Sequence, residues 1–163
     1  MIGALITGLL GGLIFVLFGK LSNKAEHSIR KKRFDKNILK SQSNISNGKI
    51  QKEDLTALIA FYGNKNDLKE GEKYITLAQE HFPEDRTLNE AIFMFYKNIG
   101  DFNAAFHKIE ELIKQTPENA DILFYKGLCH YKLGDHELAE EYRLKAGKKE
   151  KFYLKTNYSS DNI

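Results

Sequence analysis

The 163-residue chain is poor in the residues on which most catalytic and metal sites depend. Its single cysteine, Cys129, excludes an intramolecular disulfide and a CxxC motif, and one unpaired thiol agrees with a reducing compartment. Cys129 precedes His130 on one helical run, where neighbouring side chains point apart, which disfavours a nucleophile and base pair. The five histidines form no H-x-x-x-H pair, and there is no glycine-rich phosphate loop. We therefore expect no enzymatic activity, no cofactor and no metal.

Proline is equally scarce, and its two occurrences, Pro83 and Pro117, lie 34 residues apart. Since proline cannot continue a helix, each is expected to follow a helix end. Small residues recur at the same spacing, at Gly71, Ala105 and Ala139, where two helices are expected to approach closely. The alternative is an unrelated helical bundle, but a bundle has no reason to repeat turn chemistry at a fixed spacing. Both interpretations are all-α.

The turns between the helices repeat as well. Gly100-Asp101 recurs as Gly134-Asp135, and Asn66-Asp67 precedes both in the same frame. Glycine, or asparagine as the next best residue, adopts the left-handed conformation that ends a helix. The aspartate can then accept hydrogen bonds from the first free N–H groups of the following helix. This pattern predicts three helix-turn-helix units, at residues 52–85, 86–119 and 120–153.

The three units resemble the tetratricopeptide repeat family. The family pattern has large apolar residues, a glycine and a tyrosine in helix one, and alanines and a proline in helix two. The first unit matches it at Leu55, Leu58, Tyr62, Gly71, Ile75, Ala78 and Pro83. The second unit departs from it at Phe93, which replaces the glycine, and the third at Arg143 and Lys151, which replace an apolar residue and the proline. The resemblance implies an α-solenoid of three repeats.

One long hydrophobic run is present, at the start of the chain. Ile2 to Phe18 contains no charged residue, and about 17 to 25 apolar residues suffice to cross a bilayer. Residues 1–19 are therefore predicted to form a transmembrane helix ahead of the repeats. A secretory signal peptide is disfavoured because nothing basic precedes Lys20 and no Ala-x-Ala follows the run. A lipoprotein anchor would need a cysteine just after it, and a buried helix remains as the alternative.

Two glycines in the predicted anchor, Gly8 and Gly12, have the G-x-x-x-G spacing that lets helix backbones touch. This spacing favours a homodimer or a contact with another membrane helix. The other interpretation is that glycine is simply common in membrane helices, and both stay open.

Residues 20–51 are strongly basic, with nine Lys and Arg against two Asp and Glu. Because basic flanks stay in the cytoplasm, we expect a single-pass protein of the bacterial inner membrane with a cytoplasmic C-terminal domain. The central cluster consists of Arg30, Lys31, Lys32 and Arg33. Its position close to the apolar run favours an anionic lipid surface over nucleic acid, which would use the same charges. The polar stretch Ser41 to Gly48 is predicted to be a flexible linker.

The resemblance also implies a concave groove, lined by the first helix of each unit, that binds a peptide or a partner helix. The implied groove residues are Thr56, Ala60, Met94, Lys97, Asn98, Phe124, Leu128, Tyr131 and Lys132. Four of them form an apolar strip: Met94, Phe124, Leu128 and Tyr131. Thr56 and Ala60 stand where family members that clamp a chaperone carboxylate carry Lys and Asn, so that clamp is not expected. The alternative is that the linker or the tail, residues 154–163, covers the strip. The tail either frays or lays Leu154 and Tyr158 over the last helix.

These features together favour a membrane-anchored cytoplasmic adaptor that holds a protein partner in its groove. A structural subunit assembled through the transmembrane helix is the alternative from another class. A secreted periplasmic repeat protein is a third. The sequence does not identify the partner, because a repeat fold serves many functions.

Overall fold

A computed structural model describes residues 28–159. The chain divides after Lys40 into two units, which are described separately. The predicted anchor, residues 1–19, lies outside the described residues, and so do Gly8 and Gly12. Between residues 28 and 159, no helix is both long and apolar enough to cross a membrane.

The described residues are all-α, with seven α-helices arranged in antiparallel pairs. Helix α1 covers residues 28–46. The others are α2 (Lys52–Asn64), α3 (Leu68–His81), α4 (Arg86–Ile99), α5 (Phe102–Gln115), α6 (Ala120–Lys132) and α7 (His136–Lys149). A 3-10 helix, Lys151–Lys155, follows α7.

Residues 41–46, for which the sequence predicts a flexible linker, are helical in the structure. Ser41 Oγ donates a hydrogen bond to Asp54 Oδ1 at 2.7 Å, and Asn44 Nδ2 donates to Asp54 Oδ2 at 2.8 Å. Side chains that usually favour turns therefore bind the carboxylate of α2 instead. The prediction failed because propensity is local, whereas Asp54 supplies a tertiary partner. The chain turns only at 47–48.

The three predicted turns share one geometry. The residue that follows the first helix has a positive φ in each case: Asn66 55°, Gly100 82° and Gly134 92°. The next residue is Asp67, Asp101 or Asp135. Its N–H donates to the carbonyl five residues back, and its carboxylate accepts from the N–H three residues on. Two adjacent residues thus end one helix and cap the next, as predicted.

The helices recur with the period read from the sequence. The first helices begin at Lys52, Arg86 and Ala120, and the second helices at Leu68, Phe102 and His136, each 34 residues apart. Helices α3 and α5 end two residues before Pro83 and Pro117. The described chain is therefore compatible with a helical repeat.

The small residues mark close approaches, although Gly71 approaches a different helix from the one expected. A Cβ on Gly71 would overlap the ring of Phe95, which belongs to α4 of the next pair and is 1% exposed. Ala105 and Ala139 are fully buried. Gly71 thus admits an aromatic ring between successive pairs.

The spacing between the first helices is uneven. Helix α4 packs closely on α2, whereas α6 packs mainly on α5 and α7. Helices α4 and α6 meet through large side chains, with the rings of Phe93 and Tyr125 at 5.2 Å between centroids. Phe93 stands at the position where the repeat pattern has glycine. A large ring there holds α6 away from α4 and leaves a cleft.

Candidate functional site

The α4–α6 cleft is a cavity of about 240 Å³ with an apolar floor. Its lining residues are Arg86, Glu90, Phe93, Met94, Ile109, Leu112, Asn119, Asp121, Ile122 and Tyr125. Small-molecule sites usually occupy about 300–1,000 Å³. The cleft is below that range, so its size suits an inserted apolar side chain better than a cofactor.

Charged residues at the N-terminal end of the cleft have partners within the chain. Arg86 Nε donates to Glu90 Oε1 at 2.7 Å, one helical turn away. Asp121 accepts a hydrogen bond from the Tyr153 hydroxyl. This end therefore presents carboxylates that are already paired.

Lys97 lies near the C-terminal end of α4, beyond the ring of Tyr125. Its Nζ is 5.4 Å from the centroid of that ring, and no carboxylate among residues 28–159 forms an ion pair with it. Burial lowers the pKa of the Lys97 ammonium, while Cys129 acts in the opposite direction. A half-buried cation without a counter-ion is a candidate contact for an acidic group of a partner.

The remaining groove residues on α2, α4 and the end of α6 are spread along the domain. Ala60, Asn98 and Lys132 are exposed, and Thr56 is half-buried. Thr56 Oγ1 donates to the carbonyl of Lys52, and Asn98 Nδ2 donates to Asn64 Oδ1 at 3.2 Å. Lys132 Nζ lies 6.0 Å from the ring centroid of Phe102.

The predicted apolar strip divides in two. Met94 lines the cleft, whereas Phe124 and Leu128 are 4% and 1% exposed. The tail, defined here as residues 150–159, covers Phe124: the rings of Tyr153 and Tyr158 lie 4.5 Å and 4.8 Å from it. The structure therefore shows the alternative in which the chain covers part of its own strip.

Tyr158 is the central contact of the tail. Its hydroxyl donates to the carbonyl of Phe124 at 3.1 Å and occupies the space that a side chain at position 127 would need. The ring is also 5.8 Å from that of Tyr131, which is half-buried. Gly127, which matches the repeat pattern, thus provides the site for this hydroxyl.

Arg143, which departs from the repeat pattern, holds the tail. Its guanidinium donates to the carbonyl oxygens of Tyr153 at 3.2 Å and Leu154 at 2.7 Å, and pairs with Glu140. Sequence reasoning noted the departure without assigning it a role. An arginine at an apolar position was the available signal.

The basic cluster lies on α1. Arg30, Lys31, Lys32 and Arg33 are all exposed. Consecutive helical residues point about 100° apart, so these four side chains encircle the helix rather than share one face. A flat lipid surface could meet only some of them at once.

The reactive groups of the domain are in apolar surroundings. Cys129 is fully buried, and burial raises the pKa of its thiol to about 12. Burial also lowers the pKa of His130, whose ring stacks on Tyr142 at 5.5 Å. In the described part of the chain, no group of three or more His, Cys, Asp or Glu could hold a metal ion.

No protein-family model matches the sequence, and no curated protein matches it either. The likeness to tetratricopeptide repeats accordingly rests on the residue pattern.

Proposed function

We propose that this protein is a membrane-anchored adaptor built on three tetratricopeptide-like repeats, which binds a protein partner at the α4–α6 cleft. The observation that carries the proposal is the opening made by Phe93 between two first helices. Met94 and Tyr125 line this opening, and the unpaired Lys97 lies beyond Tyr125. Such a surface can take an apolar side chain and hold an acidic neighbour.

The proposed anchor is the apolar run at residues 1–19, with the basic residues around Arg30 to Arg33 on the cytoplasmic side of the inner membrane. Support comes from the absence of charge in that run and from the excess of basic residues after it. In this arrangement the protein holds its partner close to the bilayer.

A photo-crosslinking amino acid placed at Met94 tests the proposal in intact cells. Met94 is a better position than Phe124, because Phe124 packs under the tail and a change there would disturb folding. We expect one discrete crosslinked product from position 94. In the same chain, a further Lys97→Glu change should reduce its yield, since it reverses the charge beyond the cleft.

The matched control is the same amino acid at Gln79, an exposed position on α3. The proposal predicts no product of that size from position 79. Equal crosslinking from both positions, or none from position 94 in any growth condition, would contradict binding at the cleft.

A further inference from the structure

Charge is segregated along the helical domain. Residues 52–142 contain ten Lys and Arg against 18 Asp and Glu, whereas residues 143–155 contain six against one. The end of α7 and the 3-10 helix after it therefore form a basic end on an otherwise acidic domain.

Large hydrophobic side chains are exposed at the same end. Phe152 is 68% exposed, the highest fraction for a large hydrophobic side chain in the described chain, and Leu154 and Leu144 are 46% and 42% exposed. Leu144 lies one helical turn from Lys148, and Leu154 lies against Gly147. Exposed apolar groups interspersed with lysines are typical of surfaces that enter a membrane interface.

The lysines here differ in whether they are neutralised. Lys145 pairs with Glu141 at 2.6 Å, and Lys149 pairs with Glu118. Lys148, Lys151 and Lys155 are exposed, and none of them forms an ion pair with a residue between 28 and 159. Three cations are thus available for an external anionic surface.

We infer that this basic end, made of Leu144, Lys148, Lys151, Phe152, Leu154 and Lys155, is an interfacial contact for an anionic lipid surface. The lysines meet lipid phosphates while Phe152 enters the headgroup region. This contact is independent of the α4–α6 cleft and of the predicted anchor.

Lipid fits the surface better than nucleic acid does. Nucleic acid would use the lysines alone, through phosphate contacts. It would leave the side chains of Leu144 and Leu154 in water. A lipid interface takes up both kinds of side chain, since acyl chains and phosphates lie within a few ångströms of each other.

Tryptophan fluorescence tests the inference on the full chain, which contains no tryptophan. Phe152→Trp introduces a single reporter at the proposed contact. Leu68→Trp, at an exposed position of α3 in the acidic part, is the matched control. Each protein is mixed with vesicles of phosphatidylcholine alone, or of phosphatidylcholine with phosphatidylglycerol, and with brominated lipid as quencher.

We expect a blue shift and quenching for F152W with phosphatidylglycerol only, lost at about 1 M salt, where the Debye length is about 3 Å. L68W should not respond. Each lysine near an anionic leaflet strengthens binding about fivefold. Adding Lys148→Gln and Lys151→Gln to F152W should therefore raise the phosphatidylglycerol needed for half of the change roughly 30-fold. Lys69→Gln with Lys114→Gln should leave it unaltered.

Three results would overturn the inference. One is an equal response of F152W to both vesicle types. Another is a similar response from F152W and L68W, which would reflect only the general proximity of the domain to lipid. The third is an emission change with a short DNA duplex and none with anionic vesicles, which would assign the lysines to nucleic acid.

Discussion

Individual residues of the domain take their properties from burial. Cys129 is the clearest case, because its thiol lies among apolar side chains, with Phe93 and Ile122 in the same cluster. A thiol reacts as its thiolate, and burial raises the pKa of Cys129 to about 12. Only a very small fraction is ionised at neutral pH.

We therefore expect the native protein to react with a thiol reagent such as DTNB orders of magnitude more slowly than the urea-unfolded protein. Labelling followed by mass spectrometry at pH 8 would measure the two rates. Comparable rates in the folded and unfolded states would show that Cys129 is accessible.

Gly71 offers a second residue-scale prediction. A Cβ there overlaps the buried ring of Phe95, so Gly71→Ala should lower the free energy of unfolding by about 1–2 kcal/mol despite the better helix propensity of alanine. Urea denaturation measures the loss. In a double-mutant cycle, Phe95→Leu should remove the overlap, and the two losses should therefore not be additive. Additive losses would mean that the ring is not the cause.

At the scale of elements, the tail replaces a missing fourth helix pair. Phe95 of α4 packs on Gly71 of the preceding pair, and Tyr158 packs on Gly127 of the last pair. Both aromatic rings fill space that a glycine leaves open between successive layers. The tail thus covers the last pair, whose apolar face would otherwise meet water.

Removing the tail contacts should destabilise the domain in graded steps. Tyr158→Phe loses one hydrogen bond, which contributes about 1 kcal/mol, whereas Tyr158→Ala also loses a buried ring, for a total of about 3–4 kcal/mol. Thermal or urea unfolding gives both values. Phe152→Ala, in the same segment but exposed, should change stability by less than about 0.5 kcal/mol. Equal effects of the Tyr158→Ala and Phe152→Ala changes would contradict the packing.

The elements also show how far local patterns reach. The turn residues predicted where α2, α4 and α6 end and where their partners begin, because a left-handed residue followed by aspartate is a local signal. The linker prediction for 41–46 failed because the hydrogen bonds to Asp54 connect residues that are ten or more positions apart. Composition carries no information about such partners.

At the scale of the whole molecule, stability depends on pH through groups that burial or pairing has shifted. Burial lowers the pKa of His130 below its usual 6.5, with Asp135 opposing the shift and Lys126 adding to it. The folded protein therefore binds fewer protons at this site than the unfolded chain does. Stability is consequently lost as the pH falls below about 6.5.

We expect the free energy of unfolding to decrease between pH 7.5 and pH 5.5, and to decrease less in the His130→Gln variant. Urea titrations at several pH values would measure the difference. An identical pH dependence in both proteins would show that His130 does not contribute.

Asp85 acts in the same direction at lower pH. Its carboxylate accepts from the N–H of Leu88 at 3.0 Å and from Lys52 at 3.1 Å, and these bonds lower its pKa. The stability that it contributes is present above about pH 4 and is lost as the pH falls further. Because the pair is largely exposed, Asp85→Asn should cost only about 0.5–1 kcal/mol at pH 7 and nothing near pH 2. Denaturation at the two pH values checks this.

The sequence by itself determined the period, the helix ends and the all-α class, because capping residues, prolines and left-handed positions act within a few residues of where they stand. Tertiary structure alone decided which predicted groove residues are accessible. Phe124 and Leu128 are covered by a tail some 25 to 30 residues away along the chain, and the α4–α6 cleft opens because Phe93 meets Tyr125. Both depend on contacts between distant side chains, whose volumes a one-dimensional pattern does not compare.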